Sequence, residues 1–285
     1  MLIEREYRAT QDELLYHYCS PETFLAICSS KTLRLSDIFS MNDFLEMHWG
    51  YARWAHVATK RAENSEAKLV ESIDHVVSSS TFNVLPLAAC FSLGGDMLSQ
   101  WRAYAQNGLG FSLGFKADSL CQMAARPLRV LYDQEKQERE IEDFIATMEK
   151  VAEAEGHESD DFFEFCTCFA CDLAALKNPS FSEEQEVRLI HLVNFVRSND
   201  SIKIQSYGGT SFGHEAPPLP IGFSMRGSVP VPHIDMSFLD SEGNHPLARV
   251  ILGPKNEALA SAISVFLETV GLGGVEVLKS QSSYR

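Results

Sequence analysis

Basic side chains are scarce in this sequence. It has 24 Lys and Arg against 39 Asp and Glu, which gives a formal net charge of −15 over 285 residues. A chain of this charge repels phosphate backbones instead of releasing counterions from them, so general nucleic-acid binding is disfavoured. A local basic pocket for one anionic ligand is still compatible with the sequence, because net charge describes solubility and association and not a single site.

Long apolar runs are also missing. No stretch approaches the roughly 18 consecutive apolar residues of a membrane-spanning helix. The first residues, MLIEREYRATQDE, lack the basic, apolar and small-residue regions of a signal peptide. We therefore expect no membrane partner and a cytoplasmic protein. The seven cysteines are an odd number, and a disulfide framework is not expected in that setting.

Three cysteines, Cys166, Cys168 and Cys171, lie close together in FFEFCTCFACDLAAL. A metal site is one interpretation of this cluster. The segment is apolar at helical spacing and has no fourth ligand nearby, which favours a helix with buried cysteines that packs on the sheet.

Apolar side chains are plentiful enough for a large core. Hydrophobic residues make up 45% of the chain and charged residues 22%, which is typical of a globular protein. In LLYHYCSPETFLAICSSKTLRLS, a strand precedes a helix capped by Ser20 and Pro21, and a second strand follows. Similar alternation continues along the chain. We predict one α+β domain over 1–285, with mixed or antiparallel sheets flanked by helices. Prolines and glycines are frequent over 194–247, which predicts an irregular, loop-rich insertion made of hairpins and loops.

Three stretches combine residues that are suited to chemistry. His17 lies in YHY at the end of the first strand, beside a helix start whose free amides favour an anion. Trp101 and Tyr104 are three apart on a predicted helix, where they form either an aromatic wall or part of the core. Glu184 and Glu186 are two apart, so on a strand they would point to the same face. A structural role for each stretch remains open on these patterns alone.

The stretches LYHYCSPETFLAICSSKTLRLSDIFSMNDFLE, CFSLGGDMLSQWRAYAQNGLGFSLGF, KNPSFSEEQEVRLI and SSYR resemble the bacterial family called domain of unknown function 2971. More distantly, LYHYCSPETFLAICSSKTLRLS resembles the opening of the ADP-ribosyltransferase fold. That second resemblance implies an ADP-ribosyltransferase-like core with helical elaborations. It also implies an enzyme that transfers ADP-ribose from NAD to a protein or a small molecule.

The same resemblance implies roles for particular residues. His17 would contact a ribose of NAD, Tyr104 would stack on nicotinamide, and Glu186 would bond the nicotinamide ribose. Glu184 would then orient or deprotonate the acceptor. The remaining candidates for cofactor binding are Tyr16, Ser92, Trp101, Arg102 and Arg34, the last two for the pyrophosphate.

Two alternatives stay open. The first is a non-catalytic module of the same fold that binds a nucleotide or a protein partner. The second is a metal-dependent hydrolase in which Asp43, Glu46 and His48 of SMNDFLEMHW are the ligands. Asn42 and Asp43 are also typical of a helix cap, which is the interpretation that we prefer for that stretch.

Overall fold

The computed structural model describes residues 5–40, 44–63, 67–80, 82–211 and 214–282. The helices are α1 (Pro21–Ser30), α2 (Phe44–Arg61), α3 (Ala67–Ser80), α4 (Leu98–Tyr104), α5 (Ala117–Cys121), α6 (Gln134–Glu155), α7 (Asp160–Asp172) and α8 (Ala260–Thr269). The strands are β1 (Leu14–Cys19), β2 (Thr32–Asp37), β3 (Val84–Ser92), β4 (Phe111–Lys116), β5 (Arg126–Arg129), β6 (Glu186–Arg197), β7 (Ile202–Gln205), β8 (Gly209–Ser211), β9 (His214–Ala216), β10 (Gly222–Arg226), β11 (Val229–Ser237), β12 (Leu247–Leu252) and β13 (Glu276–Lys279).

The first strand–helix–strand unit forms as the sequence predicts. Ser20 caps α1, its side chain accepting a hydrogen bond from the Thr23 amide, and Pro21 occupies the first helical position. Lys31 ends the helix in the left-handed conformation. The helix buries Phe24, whose ring stacks on Phe111 of β4 with centroids 4.0 Å apart. This contact fixes α1 against the sheet.

In the part of the chain that the structure describes, eleven strands form one large sheet, which makes the protein an α+β fold with a mixed, mostly antiparallel sheet. The order is β10-β11-β2-β3-β1-β4-β12-β13, and β6 pairs with β3, β5 and β7. In the described residues, β12 and β13 are parallel and the other sheet pairs are antiparallel. The predicted fold class is confirmed.

The sheet splits at β3. One edge of β3 pairs with β6 along its whole length, from Val84 to Ser92. On the other edge, β2 pairs only near the middle of β3, at Leu87 and Ala88, and β1 pairs only at Ser92. Between these contacts β1 and β2 move apart from each other, so that neither pairs with β3. The segment 89–91 is therefore left with a ladder partner on one side only, within the described part of the sheet.

Two large hydrophobic clusters surround this sheet. One joins the sheet to α1, α5 and α8. The other lies among α2, α3, α6 and α7, and Phe144 of α6 stacks there on Phe169 of α7 with centroids 3.8 Å apart. Cys166 is fully buried in this second cluster. The helix around Cys166 exists as predicted, but the expectation that it packs on the sheet is wrong, because its apolar face meets the apolar faces of the other helices.

The segment 194–247 forms antiparallel hairpins, as the sequence predicts, and part of it joins the main sheet. It contains the end of β6 and the strands β7 to β11, and β10 and β11 extend the main sheet beside β2. The pairs are β6 with β7, β8 with β9 and β10 with β11, and each pair is antiparallel. Pro230 and Pro232 are tolerated because the ladder with β2 begins at His233, so the prolines have a strand on one side only.

Among the described helices, none combines the length and the apolar character that crossing a membrane requires.

Candidate functional site

A cleft of about 420 Å³ opens where β1 and β2 diverge from β3. Its volume is within the range of small-molecule sites, roughly 300 to 1,000 Å³. The end of β1 and the start of α1 form one wall, and the segment 88–91 of β3 forms the floor. The end of α4 and the start of β6 close the inner side, while β2 and β10 contribute to the opposite side.

His17 lies in this cleft and is bound to the unpaired edge of β3. Its Nδ1 atom is 2.9 Å from the carbonyl oxygen of Cys90. A carbonyl only accepts hydrogen bonds, so Nδ1 is the protonated nitrogen and Nε2 of the neutral ring is an acceptor. Burial lowers the pKa of His17, and this outweighs the opposing effect of the bond to Cys90. The ring therefore stays neutral near pH 7, with Nε2 as an acceptor.

Glu184 and Glu186 both line the cleft, although the predicted reason is wrong. Glu184 ends the 3-10 helix Pro179–Glu184, and Gln185 is left-handed with φ 46° before β6 begins at Glu186. The two carboxylates are therefore not neighbours on one strand face. They meet because Lys177 forms an ion pair with each of them. Its Nζ atom binds Glu184 and lies 3.4 Å from Oε2 of Glu186.

Two cationic side chains bind the oxygens of the Glu186 carboxylate. Arg188 Nε is 2.7 Å from Oε1, and Arg188 Nη2 is 2.9 Å from Oε2, where Lys177 also binds. Arg188 and Glu186 are two apart on β6 and so share a face. The three side chains are buried, with exposures of 2% for Lys177, 4% for Arg188 and 6% for Glu186.

The two acids titrate in opposite directions. Burial raises the pKa of Glu186, but Arg188 and Lys177 outweigh it and lower the pKa to about 2. Burial raises the pKa of Glu184 above its ordinary value despite the ion pair with Lys177. Glu184 is consequently the carboxyl group whose pKa lies closer to neutral pH, and Glu186 is a permanent anion.

Two further predicted residues hold Glu184. The hydroxyl of Tyr104 donates to its Oε1 over 3.1 Å, and the hydroxyl of Ser92 donates to its backbone carbonyl over 2.7 Å. Tyr104 lines the cleft with 37% of its surface exposed, so its ring is available to a ligand. Ser92 is 2% exposed and does not line the cleft in the described structure, so it positions Glu184 instead.

Trp101 and Arg102 are not part of the cleft wall. Trp101 is fully buried, packs edge-on against Tyr18 with ring centroids 4.9 Å apart and donates to Asp96. Of the two residues predicted as an aromatic wall, Tyr104 therefore faces the cleft and Trp101 belongs to the core. Arg102 points away on the exposed side of α4, because it is only one residue past Trp101 and two before Tyr104 on the helix.

Tyr16 lines the cleft but is largely committed to packing. Its hydroxyl accepts a hydrogen bond from Arg249 over 3.1 Å. A side chain at Gly95 or Gly114 would collide with its ring, since an added Cβ would lie 2.5 Å and 2.8 Å away, respectively. The ring is thus held against two glycines and has little freedom to follow a ligand.

Arg34 lies on the β2 side of the cleft in a bidentate ion pair with Asp235, at 2.8 and 2.9 Å. Arg226 of β10 also lines this side, and its guanidinium donates to the Ser40 carbonyl. Gly110, just before β4, allows close backbone packing, because an added Cβ would lie 2.0 Å from the Cys19 carbonyl oxygen.

Sequence reasoning missed Lys177, Arg188 and Arg226 as site residues. Arg188 could have been found, because a residue two positions from Glu186 on a strand shares its face. Lys177 and Arg226 carried no such signal. The first precedes a 3-10 segment, and the second lies within 194–247, where the sequence predicts hairpins but does not locate their strands.

The metal hypothesis gains no support from the part of the chain that the structure describes. Within it, no group of three or more His, Cys, Asp or Glu side chains is placed to hold a metal ion. Asp43 and the side chain of Glu46 lie outside the described residues. Cys166, Cys168 and Cys171 lie on α7 and have raised pKa values because of burial, which disfavours the thiolate that a metal requires.

Comparison with known proteins identifies one similarity. Residues 100–189 match the sequence profile of the family described as "Protein of unknown function (DUF2971)". This span includes α4 from residue 100 onward and the first residues of β6, and so Tyr104, Lys177, Glu184 and Glu186. No curated protein and no solved structure matches the chain. The family resemblance is confirmed for this span, and the resemblance to ADP-ribosyltransferases stays a hypothesis.

Proposed function

We propose that the cleft binds a nicotinamide dinucleotide such as NAD and that the protein transfers its ADP-ribose group to an acceptor. The observation that carries the proposal is the convergence of His17, Tyr104 and Glu186 on one cleft, although they lie on β1, α4 and β6. A neutral imidazole with an accepting Nε2 suits a ribose hydroxyl. An exposed phenol ring suits a flat nicotinamide.

The carboxylates fit the two steps of such a transfer. The bond between ribose C1′ and nicotinamide N1 breaks, nicotinamide leaves with the electron pair, and positive charge develops on the ribose. An ionised Glu186 beside that sugar would stabilise this charge. The acceptor's lone pair then forms the new bond to C1′, and Glu184 takes the acceptor's proton. A carboxyl group with a raised pKa is suited to this role.

One observation favours a second function. Arg188 and Lys177 already occupy both oxygens of Glu186, so the carboxylate is neutralised before any substrate arrives. A site of this kind supports a non-catalytic module that binds a nucleotide without breaking it. The two functions make different predictions for turnover and the same prediction for binding.

Incubation of the protein with NAD, followed by chromatographic measurement of released nicotinamide, tests the proposal. A panel of arginine, serine, thiol and small-molecule acceptors should be included. We expect release by the natural protein and a loss of about 100-fold in Glu186→Gln, as is typical when an electrostatic contact to the transition state is removed. Glu183→Gln is the matched control, since Glu183 is an exposed neighbour outside the cleft wall.

Thermal unfolding with and without NAD separates the alternatives. A ligand that binds only the folded state raises the unfolding temperature. Stabilisation without nicotinamide release would identify a binding module and overturn the transferase. Glu184→Gln is measured in parallel, because Glu186→Gln removes the carboxylate partner of Arg188 and one of the two partners of Lys177, so the stability of this variant needs to be known.

A further inference from the structure

Two arginines lie on one side of the cleft, on strands that flank β11. Arg34 is opposite Asp235, and Arg226 is opposite Val229. These two positions on β11 are six residues apart, so the arginines project from the same face of the sheet. Ser36 and Ser224, each two residues from one of the arginines, also line the cleft. This face therefore presents two guanidinium groups and two hydroxyls to one ligand.

The two arginines differ in whether an acidic side chain balances their positive charge. Asp235 binds Arg34 with both carboxylate oxygens. Arg226 donates to the Ser40 carbonyl, and no acidic side chain pairs with it in the described part of the chain. Deeper in the cleft, Lys177 and Arg188 balance Glu184 and Glu186. With Asp235 included, the charged side chains that line the described cleft carry one more positive than negative charge, on a protein whose overall charge is −15.

We propose that Arg226 is the main contact for a phosphate group of the ligand, with Ser36 and Ser224 as hydroxyl donors. This inference rests on the proposed function, because it assigns the diphosphate of the dinucleotide to this side of the cleft. Arg34 contributes less, because the carboxylate of Asp235 competes with the phosphate for the guanidinium group of Arg34. Guanidinium groups bind phosphate oxygens through paired, charge-assisted hydrogen bonds.

Calorimetric titration with ADP and with adenosine tests the assignment, because the two probes differ in the diphosphate. Removing one hydrogen bond to a charged group weakens binding by about tenfold or more, so Arg226→Gln should lose about that factor for ADP. Its affinity for adenosine should not change. Arg197→Gln is the matched control, since Arg197 is also exposed, donates to one backbone carbonyl, that of Phe82, and lies outside the cleft wall.

Asp235→Asn provides a test of opposite sign. It frees Arg34, so ADP should bind several-fold more tightly, whereas Asp200→Asn, which removes an exposed charge outside the cleft wall, should have no effect. Equal losses of ADP affinity in Arg226→Gln and Arg197→Gln would overturn the assignment, as would a natural protein that binds ADP no better than adenosine.

Nicotinamide release in the same variants separates this inference from the proposed function. If the natural protein and Arg226→Gln release nicotinamide with the same dependence on NAD concentration, that result would support the transferase and overturn the phosphate contact. ADP affinity that depends on Arg226, in a protein that neither binds NAD nor releases nicotinamide, would support the phosphate contact and remove the transferase.

Discussion

His17 and Cys90 join two strands that do not pair at that point. The imidazole Nδ1 donates to the Cys90 carbonyl over 2.9 Å, in the part of β3 where β1 and β2 have diverged. The side chain thereby satisfies a backbone acceptor that a neighbouring strand would normally satisfy. The same bond fixes the tautomer and leaves Nε2 as an acceptor in the cleft. One hydrogen bond thus satisfies a backbone acceptor of β3 and also sets which imidazole nitrogen is protonated in the cleft.

Replacing His17 should weaken ligand binding more than it weakens the fold. In His17→Ala the Cys90 carbonyl faces the cleft, where water can reach it, so we expect a stability loss of about 1 kcal/mol. Affinity for NAD should fall by about tenfold, because a single ligand hydrogen bond disappears. Titration calorimetry and urea unfolding measure the two effects. His56→Ala serves as the control, since His56 is an exposed residue of α2; equal affinities in both variants would contradict the role of His17.

Local patterns in the sequence predicted this half of the site well. The Ser20 and Pro21 cap located α1, and the alternation on either side located β1 and β2. The position of His17 at a strand end followed directly. What the pattern could not predict was the divergence of β1 from β2, because it depends on which residues of β3 each strand pairs with.

The acidic half of the site was predicted for a reason that the structure corrects. Glu184 and Glu186 do reach the same cleft, but the left-handed Gln185 separates them and Lys177 brings them together. Long-range ion pairs have no periodicity in the sequence. Trp101 shows the opposite case, since a tryptophan at helical spacing is equally consistent with a wall or a core, and its burial decides for the core.

The depressed pKa of Glu186 should be visible in the acid unfolding of the protein. A carboxylate with a pKa of about 2 in the fold and an ordinary value of 4.5 contributes stability that is present above pH 4.5. That contribution is lost as the pH falls from 4.5 toward 2, because the unfolded chain takes up the proton first. Glu186→Gln lacks it, so its stability should fall less steeply over this interval. Urea unfolding at a series of pH values measures the slopes.

Glu184 should act with the opposite sign. Its raised pKa means that the folded protein holds a proton above pH 4.5 that the unfolded chain has released. Glu184 therefore lowers the stability of the fold as the pH rises from 4.5 to the raised pKa of this group. In Glu184→Gln the stability should therefore rise more steeply with pH than in the natural protein. Parallel slopes in the two proteins would contradict the assignment of the raised pKa to Glu184.

Asp96 should stabilise the protein through the segment that follows β13. Its carboxylate accepts hydrogen bonds from the Ser280 hydroxyl, the Gln281 amide at 2.7 Å and the Trp101 indole at 2.7 Å. Asp96→Ala leaves these donors without their acceptor, and we expect a loss of about 1 to 3 kcal/mol in unfolding free energy. The exposed Asp200 supplies the control as Asp200→Ala. Faster amide exchange at Gln281 in Asp96→Ala would locate the effect at this contact.

Lys177 should be the residue whose removal most damages the site. Its ammonium group is the shared partner of Glu184 and Glu186, and the side chain is 3% exposed. Lys177→Met keeps the apolar stem but leaves the buried carboxylates without this cation, and breaking a buried ion pair in this way costs roughly 3 to 5 kcal/mol.

A second substitution tests whether the charge is the cause. Glu184→Gln in the Lys177→Met background removes the carboxylate that has lost its cation, while Arg188 continues to neutralise Glu186. The double variant should regain a large part of the stability lost by Lys177→Met, although Glu184→Gln alone should not stabilise the protein to that extent. Additive losses in this cycle would show that packing of the lysine stem, and not its charge, holds this part of the cleft together.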